Sequence, residues 1–223
     1  MAERPSKQIT EADAQKGRSN DADATRADIL RVAATEFAAK GLAGARIDEI
    51  AEQTRSSKRM IYYYFGSKEE LYRAVLEQSY AGIREAEADR HFEDLPALVA
   101  LQAHVEHTLD YHILHPEFVR MVMNENIHRA EHLGSVDGIR DRNSRVVASM
   151  QAIIDKGVAE GVFRTGLDAL ELHLQISSLC FYVVSNRHTI KVIFGVDMSV
   201  AETIARRRAA IVATVLAAVR PPA

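Results

Sequence analysis

The 223-residue sequence holds one cysteine, no tryptophan, 5 prolines and 11 glycines. A lone Cys180 forms no internal disulfide and builds no thiolate metal cage, so a reducing cytoplasm is the expected compartment and Cys180 a small core residue. Sparse breakers leave room for long helices. Long apolar runs are missing as well. The longest, 209–219, is interrupted by Thr214 and falls well short of the ~20 residues that a bilayer demands. The first 24 residues are polar and mixed in charge, with no apolar stretch of a secretory signal. Nor is there a basic excess: Lys+Arg number 28 against 31 Asp+Glu, a net charge of −3. That excludes a chain-wide coat for nucleic acid, so any nucleic-acid contact must rest on a local patch. The 47% hydrophobic and 26% charged residues are ordinary for a soluble globular protein.

No alternating strand pattern and no internal repeat is visible, which predicts an all-α chain. Residues 1–24 lack large apolar side chains and read as a flexible tail. From Thr25, the expected N-cap, Ile29, Leu30, Ala33, Ala34, Phe37 and Ala38 share one helical face, and Gly41 ends the run. A second short helix is expected over 47–54, a tight connection at 55–57 and a third helix over 58–64. Ser67-Lys68-Glu69-Glu70 is a capping box that opens a long fourth helix. Two short helices joined by about three residues and braced by a preceding helix describe a helix-turn-helix unit, placed at 25–71. Beyond it, 72–223 reads as a larger helical effector-binding and dimerisation domain. Its helices fall near 68–88, 95–114, 116–132, 137–160, 168–186, 187–194 and 199–219, with N-terminal boxes at Asp168…Glu171 and Ser199…Glu202.

Between Gln53 and Lys68 there is no acidic residue, while Arg55, Lys58, Arg59 and Lys68 are all cationic. The same segment supplies Ser56, Ser57, Tyr62, Tyr63 and Tyr64, small or amphipathic donors suited to phosphates. A third helix this short buries only Ile61 and Phe65, which leaves its other side chains to reach a major groove. Residues 25–71 resemble the DNA-binding domain of the TetR family of transcriptional regulators. The resemblance rests on Ile29-Leu30-x-x-Ala33-Ala34-x-x-Phe37-x-x-x-Gly41, on Ile47-x-x-Ile50-Ala51, and on Ser57-Lys58-x-x-Ile61-Tyr62-Tyr63-Tyr64-Phe65-x-Ser67-Lys68-Glu69-x-Leu71. It implies that Ser57, Lys58, Arg59, Met60 and Tyr63 face bases or phosphates, that Tyr62 approaches the backbone and that Lys68 holds a phosphate. Arg46 and Arg55, with Ser56, complete the expected DNA-binding set. Arg55 stands where the family usually has Gly, and Arg46 where it usually has Ser or Thr; a positive φ at Arg55 would carry strain.

In the larger domain Ala201, Ala205, Ala209, Ala213 and Ala217 recur every four residues, a smooth stripe for close helix approach. Helix 168–186 is apolar on two faces, one bearing Leu172, Ile176, Leu179 and Val183 and the other Leu170, Leu174 and Phe181. The family resemblance implies a homodimer through 168–186 and 199–219. The segment 181–195, with Ser185-Asn186-Arg187, resembles the closing part of one TetR C-terminal subgroup. A cavity for a small organic effector is expected to be lined by His107, Tyr111, Phe118, Met121, Val122, Glu125, Asn126 and Arg129, with Phe181 and Tyr182 opposite. Six of nine histidines fall between His104 and His132, and Glu125…His128 has the Glu-x-x-His spacing of di-iron bundles. An all-helical metal-dependent enzyme built on that cluster is therefore the competing reading. The favoured one is a ligand-responsive, cytoplasmic, homodimeric repressor on a palindromic DNA operator. It is not an enzyme and needs neither a metal nor another cofactor.

Overall fold

A computed structural model describes residues 11–222 except 89, 91 and 137. Ten α-helices run through them: α1 (Glu11–Gly44), α2 (Ile47–Thr54), α3 (Lys58–Phe65), α4 (Lys68–Ala88), α5 (Ala97–Leu114), α6 (Pro116–Ile127), α7 (Ile139–Ala159), α8 (Ala169–Ser185), α9 (Arg187–Phe194) and α10 (Ala201–Val219). Among the described residues there is no strand.

The chain divides into two compact units, residues 1–75 and 76–223, so the boundary falls inside α4. The first ten residues of the expected tail lie outside the described residues. Residues 11–24 belong to α1, so Thr25 does not cap that helix; its hydroxyl instead donates to the Asp21 carbonyl one turn back, at 2.7 Å. Gly41 interrupts the helix with φ of 66° and ψ of 176°, a conformation that any side chain would strain.

Unit 1 is held by Ile29, Ala33, Phe37, Ile50, Ile61 and Leu71, all essentially without solvent contact. The Phe37 and Tyr72 rings meet edge to face at 5.0 Å. Arg46 supplies no side-chain cap to α2. The buried Glu36 carboxylate accepts the Arg46 N–H at 3.1 Å and pairs with Lys40 at 2.9 Å, tying α1 to the start of α2.

In unit 2 the main core joins Leu101, Val105 and Leu109 of α5 to Met150, Ile153 and Ile154 of α7, Leu172 and Ile176 of α8, and Ile211 and Val215 of α10. Cys180 is fully buried among them, and burial raises its thiol to about 12, so it is inert. Asp168 caps α8 by accepting the Glu171 N–H at 2.8 Å. The box expected at Ser199 does not form. The Ser199 hydroxyl donates to Asp197 at 2.6 Å, and α10 starts after Val200 without a side-chain cap. Helix α6 stops at Ile127, short of the expected 132, because Arg129 and Ala130 turn left-handed (φ of 58° and 57°).

Candidate functional site

The connection between α2 and α3 follows from two caps. Arg55 takes the left-handed conformation (φ 52°, ψ 22°), and the Ser56 N–H returns to the Ala51 carbonyl at 3.1 Å. A non-glycine residue there carries strain of about 1–2 kcal/mol. Ser57 then caps α3, its hydroxyl accepting the Met60 N–H at 3.2 Å. Ile61 and Phe65 anchor α3 in the core, and the guanidinium of Arg26 lies 5.2 Å from the Phe65 ring centre.

The outward face of α3 carries Lys58, Arg59, Met60, Tyr62 and Tyr63, all exposed, Tyr63 to 79%. Two features of this face disfavour the isolated fold. Lys58 and Arg59 occupy the first turn, where the helix dipole prefers acids, and no acid accompanies them. Large aromatic and sulfur side chains also stand in water around them. A face with cations and N–H groups at a helix N-terminus, flanked by tyrosines, is what a phosphate backbone and base edges require.

Each expected DNA-binding residue has a definite place. Arg46, Arg55, Ser57, Lys58, Arg59, Met60, Tyr62 and Tyr63 are exposed, while Ser56 and Lys68 are half-buried. Lys68 reaches back to donate to the Ala43 carbonyl at 3.4 Å, so it braces α4 against the end of α1. Sequence reasoning missed the acids beside the patch. Asp48 of α2 pairs with Lys58 and approaches Arg46 at 3.9 Å, and Glu49 pairs with Lys40. Counting charges along a window that began at Gln53 left both acids out.

In unit 2 the structure brings some of the expected ligand contacts together. Tyr111, Phe118, Val122 and Phe181 gather around Ile83, Val119, Val184 and Tyr80, with the Tyr80 and Phe118 rings 5.4 Å apart. His107 sits beside Tyr111, ring centres 6.4 Å apart, and Met121 is fully buried. Asn126, Arg129 and Tyr182 face solvent and stand apart from that cluster. Glu125 is buried but already engaged: it accepts the backbone N–H of His132 at 3.2 Å and of Leu133 at 2.9 Å. It staples the turn after α6.

The histidines do not assemble a metal centre. Among the described residues no three His, Cys, Asp or Glu side chains come close enough to hold an ion. His128 is exposed on the Asn124 carbonyl, His132 lies against Glu125, and His104, His107 and His112 are buried along α5. Burial lowers His104 to about 3 and His112 to about 4, so both are neutral. These placements leave the metal-enzyme reading without support.

Residues 29–75 match the family model for bacterial regulatory proteins of the tetR family, and residues 98–215 match a tetracyclin repressor-like C-terminal domain. The chain belongs to the TetR family. It is a DNA-binding transcriptional regulator and not an enzyme. The HTH-type transcriptional repressor NicS of Pseudomonas putida is 38% identical over 82% of this chain and 86% of its own length. The repressor SCO4008 of Streptomyces coelicolor is 37% identical over 49% of this chain and 53% of its length. Among solved structures, a transcriptional regulator from Streptomyces coelicolor, SCO4942, superposes with a TM-score of 0.67 at 26% identity, covering 88% of this chain and 99% of its own. Among the described residues no helix of this TetR-family chain is long and apolar enough to cross a membrane.

Proposed function

We propose that this TetR-family regulator is a cytoplasmic homodimeric repressor that holds a palindromic operator and is released from it by a small organic effector. The observation that carries the reading is the outward face of α3, with Lys58 and Arg59 in its first turn and Tyr62 and Tyr63 in water. Each subunit would set that helix in one major groove, about one helical turn from its twin. The relatives named as repressors support the sign of regulation.

Pairing is supported by faces of α8 and α10 that unit 2 leaves uncovered. Leu170, Leu174 and Tyr182 of α8 are about half exposed. The exposed Ala205, Ala209, Ala213 and Ala217 of α10 line a groove of about 570 Å³ together with Gln102 and Glu106. Small side chains allow helices to approach closely, and two such helices per subunit suit a four-helix interface.

An effector can act only through unequal affinity for the DNA-competent and incompetent states. The chain passes from unit 2 to unit 1 along α4, so α4 is the element through which effector binding would change the spacing of the paired α3 helices.

The deciding experiment is fluorescence anisotropy on labelled DNA from upstream of the protein's own gene, at two salt concentrations and with random competitor DNA. Competitor-resistant, salt-sensitive binding at two subunits per site is expected. An Ala213→Glu variant should elute as a monomer and lose that binding. Binding of the parent no tighter than to random fragments, across a genome-wide selection, would refute the reading.

A further inference from the structure

We propose that the buried Arg84–Glu87 pair, with His104, His107 and His173, is the polar end of the effector site, and that the effector is a small aromatic monocarboxylic acid. This rests on the reading of the chain as effector-responsive and adds to it the site and the ligand chemistry.

Arg84 and Glu87 lie one turn apart on α4, their side chains only 14% and 9% exposed. Nη1 of Arg84 donates to Oε2 of Glu87 at 2.6 Å. The remaining edge of the pair is unused: Nε of Arg84 and Oε1 of Glu87 are buried and find no hydrogen-bond partner among the described residues. His104, 2% exposed, has both ring nitrogens in the same condition, as do Nε2 of His107 and Nδ1 of His173. Native interiors rarely leave so many polar atoms orphaned, and each carries a desolvation cost unless something bonds to it. The charge of Arg84 acts on His104, His107 and His173 together, which places these residues in one electrostatic neighbourhood. Planar rings lie beside two of the histidines: Phe92 is 5.4 Å from His104 and 6.1 Å from His107, and Tyr111 is 6.4 Å from His107.

Charge decides the ligand class. Burial pushes Glu87 up to about 7 against the attraction of Arg84, so a proton on Glu87 costs little near neutrality. Burial and Arg84 hold His104 at about 3 and His173 at about 4, and His107 is lowered too, so the imidazoles are neutral. The other groups of the neighbourhood include His112, held at about 4 by burial and Arg84, Tyr80 and Tyr111, both raised by burial, Tyr111 to about 12, and Arg90, which adds positive charge near His107. Glu87 is the group that changes charge between pH 6 and 8. Once it is protonated, Arg84 is a buried cation without a counter-charge, and Oε1–H is a donor. A carboxylate set on the unused edge accepts from Nε–H of Arg84 and from Oε1–H of Glu87 and neutralises the site. The proton balance is then fixed: above pH 7 binding takes one proton from water onto Glu87, and below pH 7 it takes none.

The test is titration calorimetry of the full-length protein with benzoate, salicylate and phenylacetate, and with benzamide and acetate as controls, in two buffers of different ionisation enthalpy. An aromatic acid should bind, lose affinity about fivefold between pH 7 and 8, and take up about one proton at pH 8. Acetate should bind more weakly. Arg84→Met should lose at least about tenfold in affinity. Glu87→Gln keeps a donor for the ligand, so it should retain binding while losing the pH dependence and the proton uptake. Three results would overturn the proposal: benzamide binding as tightly as benzoate, an unchanged pH profile in Glu87→Gln, or no saturable heat from any of the acids up to about 10 mM. If a small-molecule cell extract releases the DNA complex while none of the acids binds, the carboxylate assignment fails and the regulator reading stands. If the acid binds with these signatures and leaves the DNA complex intact, the site stands and the induction reading fails.

Discussion

Neutralising Asp48 should make this regulator hold DNA more tightly. The Lys58 ammonium is paired with Asp48 across the α2–α3 connection, and Arg46 lies 3.9 Å from the same carboxylate. For Lys58 to reach a phosphate it must leave that pair, and Asp48 must then recruit a cation from solution. An exposed pair of this kind is worth at most about 1 kcal/mol, so Asp48→Asn removes a penalty of up to about 2 kcal/mol for two subunits. That corresponds to a gain in affinity of up to about 30-fold. Salt dependence carries the same information. Each phosphate neutralised contributes about −0.9 to the slope of log K against log salt, and cation uptake by Asp48 cancels part of it. The slope should therefore steepen by up to about one unit per subunit in Asp48→Asn. Anisotropy titrations between about 50 and 200 mM salt measure both quantities. Lys58→Met in the Asp48→Asn background should erase the gain, which a double-mutant cycle isolates. Loss of an acid from the first turn of α2 will cost about 0.3–1 kcal/mol of stability, so melting is followed in parallel. Unchanged affinity and slope, or weaker binding by a folded variant, would refute the idea that Lys58 is shared between Asp48 and DNA.

Arg55→Gly should move stability and DNA binding in opposite directions. Relief of the left-handed strain raises stability by about 1 kcal/mol in urea unfolding, and loss of a cation weakens operator binding and flattens the salt slope. Gly157→Ala should destabilise unit 2 by about 1–2 kcal/mol, because the new Cβ would lie 2.1 Å from Cδ2 of the buried Phe163; the gain in helix propensity does not offset that clash. His104→Leu should make the protein less sensitive to acid. The folded-state value of His104, about 3, lies below the ordinary 6.5, so its contribution is present above pH 6.5 and is lost as pH falls toward 3. Between pH 7.5 and 5.5 that amounts to about 1.4 kcal/mol. The stability difference between parent and variant, measured by urea unfolding at both pH values, should shift by that amount; a constant offset would mean that His104 is protonated in the folded state.

The parts of the fold that were legible were those with local chemistry at their ends. Helix α2 was placed to the residue because Ile47 and Ile50 bury one face and the three-residue connector 55–57 follows. The start of α4 was announced by Ser67, whose hydroxyl accepts the N–H of Glu70, whereas the matching cap of α3 by Ser57, on the N–H of Met60, lay inside the segment read only as a connection. Where the deciding interaction spans a longer separation, the pattern misled. His128 and His132 continue a helical spacing, yet α6 ends before them, where Arg129 and Ala130 turn left-handed and the Glu125 carboxylate accepts the backbone N–H groups of His132 and Leu133. The hydroxyl of Ser199 had a competitor in Asp197. Arg84 and Glu87 stand three residues apart near the end of a long helix, a spacing that exposed ion pairs share. Their side chains are nevertheless only 14% and 9% exposed, and no spacing rule along α4 reports that.

Both candidate sites are places where the chain departs from what stability alone would select, and the departures differ in kind. On α3 the departures are exposed and inexpensive: cations at the positive end of a helix and tyrosines in water. Each costs of order 1 kcal/mol and is relieved by a polyanion arriving from outside. Around Arg84 the departures are buried, where an orphaned donor or acceptor costs more and no macromolecule can reach it. A partner that relieves the first must be large and can dissociate with a change of salt. A partner that relieves the second must be small enough to be enclosed, and its release must wait for the helices around it to open. That difference in depth would allow one chain to read two signals, because the groups proposed to answer DNA and the groups proposed to answer a metabolite share no atom. Exchanging Glu87 for glutamine should therefore leave the salt slope of DNA binding untouched, while exchanging Asp48 for asparagine should leave the pH dependence of acid binding untouched. Cross-talk in either direction would have to come from a change of population between states, and its size in the two directions must then be equal.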